Sequence, residues 1–502
     1  MSKRRRTKVP SEHAEPPAGA MVEALRGIGY SLPTAIADLI DNSVSAEATT
    51  VHITFWWQGR DSFISILDNG KGMSEAELRA AMRPGSRNPL EEREPTDLGR
   101  FGLGLKTASF SQCRRLTVSS KTSAGTAIRR WDLDYVRDED AWLLLLEPAP
   151  GSGSRMEPLR HFSSGTLVLW EVLDRVVGDA PVGDRLAHDR FLLLAAEAEA
   201  HLGMVFHRYL EGGRPELRIF LNNQPIKPWD PFLSLHGATF STPEEPISWG
   251  TDQIQVRGFV LPHKDRMTEQ EWERAAGPSG WNAQQGFYVY RNRRLLVAGG
   301  WLGLGLSRPW VREEHYRLAR IRLDIPNSMD QAWKIDVKKS TARPPDALRP
   351  RLRDLAEQVR KRAREVFAYR GRQGARGPVA PIDRAWLSLS RGGRLTYRVN
   401  RQHPVVQLVM DRAGDLAPDV ESLLRVVEET VPVQQIWLDA AEKPDSPAAP
   451  FAADPDVQRV MTRFYRSLRR QGRNAEQSRA QIRQTEPFNE YPDLIAALPD
   501  EP

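Results

Sequence analysis

The sequence predicts an α+β fold divided among two or three domains. With 502 residues, 40% of them hydrophobic and 27% charged, the chain is too long for one ordinary hydrophobic core and too apolar to be disordered. Helical and strand patterns alternate along it, and short turns join several strands in pairs. Such pairs indicate largely antiparallel sheets covered by helices.

The composition restricts where the protein acts. No apolar run approaches the roughly 20 residues that a membrane helix needs, so we expect a cytoplasmic protein with no membrane partner. The single cysteine, Cys113, excludes an intrachain disulfide and a zinc site built from several cysteines. The formal charge is only +6, but the arginines are clustered, which permits contact with nucleic acid.

The first domain is predicted over 21–174, after a flexible basic arm over 1–20. It begins with a helix over 33–46, which has a proline in its first turn. Strands over 51–57 and 62–68 follow and are expected to form a hairpin, because a short turn with glycine separates them. A second hairpin and one further strand complete this domain.

Further elements are predicted beyond the first domain. A second α/β domain is expected over 175–345, followed by a basic amphipathic helix over 346–370 and a linker over 371–381. A C-terminal α/β module over 382–502 is expected to contain another basic helix, over 456–483. Either helix could contact a phosphate backbone through its polar face, for example through Arg360, Lys361 and Arg364. The alternative is an ordinary solvated helix face.

The helix over 33–46 carries the first candidate site residues. Asp38 and Asn42 are four residues apart and therefore lie on one helix face. A carboxylate there can polarise a water molecule as a catalytic base, while an amide oxygen can bind Mg²⁺. Asp41 is a second candidate for the base. An exposed acidic helix face without catalytic function is the alternative.

A glycine-rich segment precedes a second helical pattern. It does not have the Walker A spacing, but glycines at the start of a helix leave backbone N–H groups available to an anion. We predict that this segment binds phosphate groups through Gly102, Leu103, Gly104, Leu105 and Lys106.

Four segments of the first domain resemble, in order and spacing, the nucleotide-binding boxes of the gyrase, heat-shock chaperone, histidine kinase and MutL (GHKL) ATPases. They are AIADLIDNS (35–43), LDNGKGM (67–73), LGRFGLGLKTAS (98–109) and SSGTLVLW (163–170). The resemblance implies a Bergerat-type α/β sandwich that binds ATP and Mg²⁺. It also implies a mobile lid over about 83–100.

The resemblance assigns further residues to the nucleotide. Asp68 would accept a hydrogen bond from the adenine amine, and Gly70 and Gly72 would let the backbone approach the base. Met73 would pack against the ring, and Thr166 would bond adenine directly or through water. In this family the catalytic helix carries Glu and Asn, so Asp38 is one methylene shorter than the usual base.

The second domain resembles the transducer domain that follows the ATPase domain in MutL, gyrase B, chaperone and Microrchidia (MORC) proteins. The sequences of its motifs are most similar to those of MORC-type proteins. QGFYVYRNRRLL (285–296) and WKIDVKKST (333–341) carry this resemblance. It implies that Lys338 or Lys339 reaches the γ-phosphate as a catalytic cation. The alternative is a solvated strand end with two ordinary lysines.

The resemblance implies an ATPase that acts as a nucleotide-gated clamp. ATP binding would close the lid and bring two copies together as a homodimer, and hydrolysis would release them. The clamp would act on DNA, RNA or a partner protein, in bacterial DNA repair, genome maintenance or defence. The alternative is an ATP-dependent chaperone-like scaffold for a protein partner that does not touch nucleic acid.

Overall fold

The computed structural model describes residues 16–27, 29–85, 104–212, 216–335, 342–368, 382–391, 394–432 and 455–500. The chain forms two compact units, which comprise residues 1–371 and 372–502. Both units combine helices with antiparallel or mixed sheets, so the predicted α+β class is confirmed. No helix in the described ranges is both long and apolar enough to cross a membrane.

The elements of the first unit are as follows in chain order. The helices are α1 (Ala18–Arg26), α2 (Leu32–Ser45), α3 (Glu75–Met82), α4 (Gly104–Phe110), α5 (Leu133–Glu139), α6 (Gly153–Met156), α7 (Arg185–Val205), α8 (His207–Leu210), α9 (Glu269–Ala275), α10 (Gly280–Ala283) and α11 (Arg349–Ala368). The strands are β1 (Thr50–Trp56), β2 (Phe63–Asp68), β3 (Arg115–Thr122), β4 (Gly125–Asp132), β5 (Gly165–Glu171), β6 (Arg218–Leu221), β7 (Gln224–Pro225), β8 (Phe240–Ser241), β9 (Glu245–Trp249), β10 (Asp252–Val260), β11 (Gly286–Arg291), β12 (Arg294–Ala298) and β13 (Ala319–Ile325).

The first sheet has seven strands in the order β4-β3-β5-β2-β1-β6-β7. Its pairs are antiparallel except that of β1 with β6, which is parallel. Helix α2 packs against α4, α7 and β2. It begins where Ser31 accepts a hydrogen bond from the backbone N–H of Thr34, which satisfies one of the free donors of the first turn. The sheet and these helices therefore hold α2 at the end of β2.

The first sheet extends beyond residue 174, where the sequence predicted the first domain to end. Strands β6 and β7 join it because Ile219 and Leu221 belong to the same hydrophobic core as β1. The turn between them is formed by Asn222 and Asn223, which both have positive φ angles, 45° and 66°. The side chain of Asn222 also accepts a hydrogen bond from the backbone N–H of Phe55, at 2.8 Å.

The second sheet has six strands. Their order is β12-β11-β13-β10-β8, with β9 paired to β10. One face is apolar and packs, with α11, into a second core that includes Phe287 and Ile321. The other face carries Tyr290 and Asp324, which bind His207 and Arg208 of α8. The second sheet is thus joined to α7 and α8 through polar contacts and through an apolar cluster that includes Met204, Tyr290 and Leu295.

Helix α11 corresponds to the basic helix predicted over 346–370, but Arg360 is not available to a phosphate backbone. Its side chain is 7% exposed, and its guanidinium lies over Trp301, Trp310 and Tyr316, 4.0 Å from the last two ring centres. Cation–π contact with three rings holds the arginine in the core between α11 and the segment that joins β12 to β13. The prediction that placed Arg360 on the polar face is wrong for this reason.

The second unit contains a small hairpin and five helices in its described part. These elements are β14 (Trp386–Arg391), β15 (Arg394–Val399), α12 (Pro404–Ala413), α13 (Ala417–Glu429), α14 (Pro455–Arg470), α15 (Ala475–Arg483) and α16 (Pro492–Ala496). The single helix predicted over 456–483 is wrong. Gly472 has a φ of 85°, and Asn474 caps a new helix, so the chain turns between α14 and α15.

Candidate functional site

A cluster of hydrogen bonds surrounds the carboxylate of Asp68 at the end of β2. The residue is 7% exposed. Its Oδ2 accepts from the Ser43 hydroxyl at 2.9 Å, and its Oδ1 accepts from the backbone N–H groups of Gly70 at 2.9 Å and Thr166 at 3.3 Å. Burial raises the pKa of Asp68 above its usual value, and the three hydrogen bonds oppose that shift.

The Ser120 hydroxyl connects two residues that are predicted to contact adenine. It accepts from the backbone N–H of Met73 at 2.8 Å and lies 2.9 Å from the Thr166 hydroxyl. The Met73 side chain is partly buried against the core of the first sheet. Asp68, Ser43, Ser120 and Thr166, which we call the Asp68 cluster, therefore connect α2 with β2, β3 and β5.

Glycines are required in the loop after β2, where it meets the end of α2 and β3. Gly72 has a φ of 70°, and a Cβ there would lie 2.0 Å from the carbonyl oxygen of Lys121. A Cβ on Gly70 would lie 3.0 Å from Oδ1 of Asp68 and 2.8 Å from the carbonyl oxygen of Ala46. Since no side chain fits at either position, the loop after β2 has room for backbone only.

Asp38 lies one helical turn before Asn42 on α2. Its carboxylate is 5% exposed and accepts a hydrogen bond from the Tyr30 hydroxyl at 2.9 Å. Gly104 is adjacent, because a Cβ on that residue would lie 3.7 Å from Oδ2 of Asp38. Asn42 is exposed. The predicted catalytic base thus lies beside the start of α4, the helix that follows the glycine-rich segment.

Asp41, the second candidate base, has a different environment. It is 1% exposed, and its Oδ1 accepts from Nε of Arg294 at 3.1 Å. Nη2 of the same guanidinium lies 3.8 Å from Oδ1 of Asp38. His201 of α7 lies near this pair, and burial together with the positive charge of Arg294 lowers its pKa to about 4. Asp41 therefore belongs to an ion pair with the second sheet.

Comparison with known proteins identifies the first domain. Residues 30–166 match the family described as "Histidine kinase-, DNA gyrase B-, and HSP90-like ATPase". The first domain belongs to the GHKL superfamily. The MORC resemblance is supported by 33% identity over 88 residues with the ATPase morc-1 of Caenorhabditis elegans. The DNA mismatch repair protein MutL of Shewanella sediminis (strain HAW-EB3) is 31% identical over 129 residues.

These similarities cover part of each protein. The morc-1 match spans 18% of this chain and 10% of morc-1, and the MutL match spans 25% of this chain and 20% of that protein. A MutL of Rhodospirillum rubrum is 29% identical over 129 residues, which is 18% of its length. This chain therefore spans at most about a fifth of the length of these relatives.

Two residues of the predicted phosphate-binding segment of the GHKL domain make internal contacts. Lys106 is 2% exposed and donates from Nζ to the carbonyl oxygen of Ala81 at 2.8 Å, in the last turn of α3. Leu105 is partly buried against the core. In this conformation the Lys106 ammonium ties α4 to α3.

Several predicted site residues lie outside the described residues. These are Gly102 and Leu103 of the glycine-rich segment, most of the lid predicted over 83–100, and the two candidate γ-phosphate cations, Lys338 and Lys339. Their roles stay predictions.

Sequence reasoning missed four residues of the GHKL site. They are Tyr30, Ser43, Ser120 and Arg294. Ser43 follows Asn42 directly, and its position one residue beyond the Asp38–Asn42 pair was the available signal. Tyr30, Ser120 and Arg294 meet the site through tertiary packing and carry no local signature.

Proposed function

We propose that this chain binds Mg²⁺-ATP at the GHKL domain and hydrolyses the nucleotide to ADP and phosphate. The observation that carries the proposal is the position of α2. The helix supplies Ser43 to the buried carboxylate of Asp68, and it also carries Asp38 and Asn42. One rigid helix thus fixes the distance between a purine-recognising carboxylate and a hydrolytic centre, as coupled binding and chemistry require.

Each residue has a role in this proposal. Asp68 accepts the adenine amine, and Gly70, Gly72, Met73 and Thr166 shape the base pocket. Asn42 offers Mg²⁺ an amide oxygen of the hard type that this ion prefers, and Mg²⁺ when bound neutralises phosphate charge.

The reaction itself is assigned to Asp38. Its carboxylate orients and deprotonates the attacking water, since it is held by Tyr30 beside Gly104. The phosphates lie along Gly102, Leu103, Gly104, Leu105 and Lys106. Lys338 or Lys339 of the second domain supplies a cation to the γ-phosphate.

The ATPase would act as a dimerising clamp. ATP shifts the population toward a closed homodimer because the closed form binds nucleotide more tightly, and hydrolysis reverses the shift. An ATPase assay and a mass measurement with a non-hydrolysable ATP analogue test this. Turnover together with a doubled mass supports the clamp, and a monomer at saturating analogue contradicts it.

Nucleic acid is the partner that one surface of the second unit favours. Helix α14 buries Met461, Phe464 and Tyr465, and its opposite face exposes Arg463, Arg466 and Arg470. These arginines are separated by three and four residues, so they form one basic stripe along the helix. A stripe of this kind fits a phosphate backbone.

Binding to DNA and RNA at several salt concentrations tests this partner. Replacing Arg463, Arg466 and Arg470 with Gln should weaken binding and lower the salt slope by nearly one unit per lost phosphate contact. Lys361→Gln with Arg364→Gln on α11 is the matched variant of the other basic helix.

A protein partner is the second candidate, because α13 exposes Leu423 and Val426, at 61% and 59%. Absence of nucleic-acid binding at low salt, with and without nucleotide, would favour the chaperone-like scaffold over the nucleic-acid clamp.

A further inference from the structure

Arg294 connects the second sheet to the catalytic helix. It is the first residue of β12, yet its guanidinium lies among residues of α2 and is 5% exposed. Nε donates to Asp41 at 3.1 Å, and Nη2 lies 3.8 Å from Asp38. A single side chain from the second sheet therefore contacts both the proposed catalytic base, Asp38, and the neighbouring carboxylate of Asp41 on the same helix.

The ion pair between Arg294 and the carboxylates of α2 is shielded from solvent. The side chains of Asp38 and Asp41 are 5% and 1% exposed, so solvent screens little of their attraction to the guanidinium. His201 is near but remains neutral at pH 7, since burial and the charge of Arg294 lower its pKa to about 4. Nη1 of Arg294 donates to the carbonyl oxygen of Leu295 at 2.8 Å, which fixes the guanidinium relative to its own strand.

The hairpin that carries Arg294 is held at a second point. The Tyr209 hydroxyl of α8 donates to the carbonyl oxygen of Asn292 in the β11–β12 turn. β12 is paired to β11, and β11 to β13, so a shift of the second sheet moves Arg294 with it. The position of α2 and that of the second sheet are consequently linked through one buried contact.

We infer that Arg294 is a positioning residue for ATP hydrolysis, which makes turnover depend on the docking of the second sheet against α2. The guanidinium donates a hydrogen bond to Asp41 and attracts the carboxylate of Asp38. It thereby orients the proposed catalytic base without touching the nucleotide. This inference rests on the proposed ATPase function. A displacement of about 1 Å in a catalytic group costs up to about 100-fold in rate, so a lost ion pair at this point should appear in turnover.

Steady-state ATPase kinetics and direct ATP binding test the inference in the full chain. Arg294→Met should lower kcat by about 10- to 100-fold while KM and the Kd for ATP stay within about threefold, because the contact acts on the base and not on the nucleotide. Arg294→Lys keeps the charge but loses the planar guanidinium that contacts two carboxylates. Its kcat should therefore lie between those of the wild type and Arg294→Met.

Two further variants make the test specific. Arg351→Met on α11 removes a half-exposed arginine that pairs with Glu245 of β9, and it should retain wild-type kcat. Asp41→Asn removes the same contact from the side of α2 and should lower kcat to a similar extent. The double variant Arg294→Met/Asp41→Asn should be no slower than the slower single variant, since both changes break one interaction.

The outcomes separate this inference from the proposed function. A wild-type protein without ATP turnover overturns both. Wild-type turnover with unchanged kcat in Arg294→Met overturns the positioning role alone, and so does an equal loss of kcat and ATP affinity, which marks a structural role. If Arg294→Met does not fold, Asp41→Asn and Arg294→Lys decide the question by the same comparison of kcat with KM.

Discussion

Two faces of α2 are held in different ways. On the face that carries Ser43, the carboxylate of Asp68 is bound by Ser43, by Gly70 in the loop after β2 and by Thr166 of β5. On the face that carries Asp38 and Asp41, both carboxylates are contacted by Arg294, which comes from the second sheet. The proposed adenine pocket is therefore built within one domain. The proposed reaction centre, which contains the catalytic base Asp38, is completed by another domain.

This difference suggests how binding and hydrolysis are separated. A pocket made within one domain keeps its shape when the second sheet moves, so nucleotide affinity should be insensitive to docking. A centre that needs Arg294 should respond to docking in its rate. Changes at the reaction centre are thus expected to alter turnover or stability, and changes at the Asp68 cluster to alter affinity.

The largest effect is expected from Asp38→Asn. General-base catalysis contributes about 100- to 10,000-fold in rate, so turnover should fall by that factor while the Kd for ATP stays within about threefold. Asparagine still accepts the hydrogen bond from Tyr30, which preserves the local packing. Single-turnover ATPase assays and calorimetry measure the two quantities. If Asp38→Asn retains turnover and Asp41→Asn abolishes it, the base has been assigned to the wrong carboxylate.

His201 offers a test of the reaction centre through pH. Its pKa is lowered from 6.5 to about 4. Between pH 6.5 and about 4, His201 is therefore mostly protonated in the unfolded chain and mostly neutral in the folded chain. Stability should therefore decrease as pH falls from about 6.5 to about 4, by up to about 3 kcal/mol. His201→Gln should flatten that decrease in thermal unfolding, and the exposed His161→Gln should not. An unchanged pH profile in His201→Gln would contradict the buried neutral histidine.

Much of the GHKL site could be predicted because its signals are local. The Asp38–Asn42 pair follows from helical spacing, and the loop after β2 follows from a strand that ends in Asp68 with Gly70 and Gly72. Arg294 could not be found this way, since it lies 253 residues from Asp41 in sequence. The segment RNRRLL has no feature that distinguishes the buried Arg291 and Arg294 from the half-exposed Arg293.

Two errors in the fold have the same origin. Helical spacing placed Arg360 among solvated arginines, but three aromatic rings from a distant loop enclose it. The parallel pairing of β6 with β1 brought residues beyond 174 into the first sheet, which only the packing of the core decides. Local pattern predicts an element, and long-range packing decides which surface it buries.

Asp68→Asn tests the Asp68 cluster, on the other face of α2. Asparagine loses the negative charge and replaces one of the two acceptor oxygens proposed for the adenine amine with an NH₂ donor, so ATP binding should weaken by about 1 to 3 kcal/mol, or roughly 5- to 150-fold. At saturating ATP, kcat should change much less than affinity, in contrast to Asp38→Asn. Calorimetry measures the affinity, and the exposed Asp61→Asn in the β1–β2 turn is the control. Unchanged affinity would contradict the adenine assignment.

Ser43→Ala is the mildest change and acts on the same carboxylate from α2. The lost hydroxyl donates to Oδ2 of Asp68 at 2.9 Å, and one such hydrogen bond contributes about 1 kcal/mol, so ATP affinity should fall about fivefold at pH 7.5. The pKa of Asp68 is already raised by burial, and the Ser43 hydrogen bond lowers it. Without that donor the pKa rises further, so the affinity of Ser43→Ala should begin to decline at a higher pH than that of the wild type as the solution is acidified. Ser45→Ala, on the same helix, removes a hydroxyl that donates to the backbone carbonyl oxygen of Asp41 at 2.9 Å, and should keep the wild-type affinity and pH profile. Equal effects of the two variants would mean that Ser43 supports the helix and not the carboxylate.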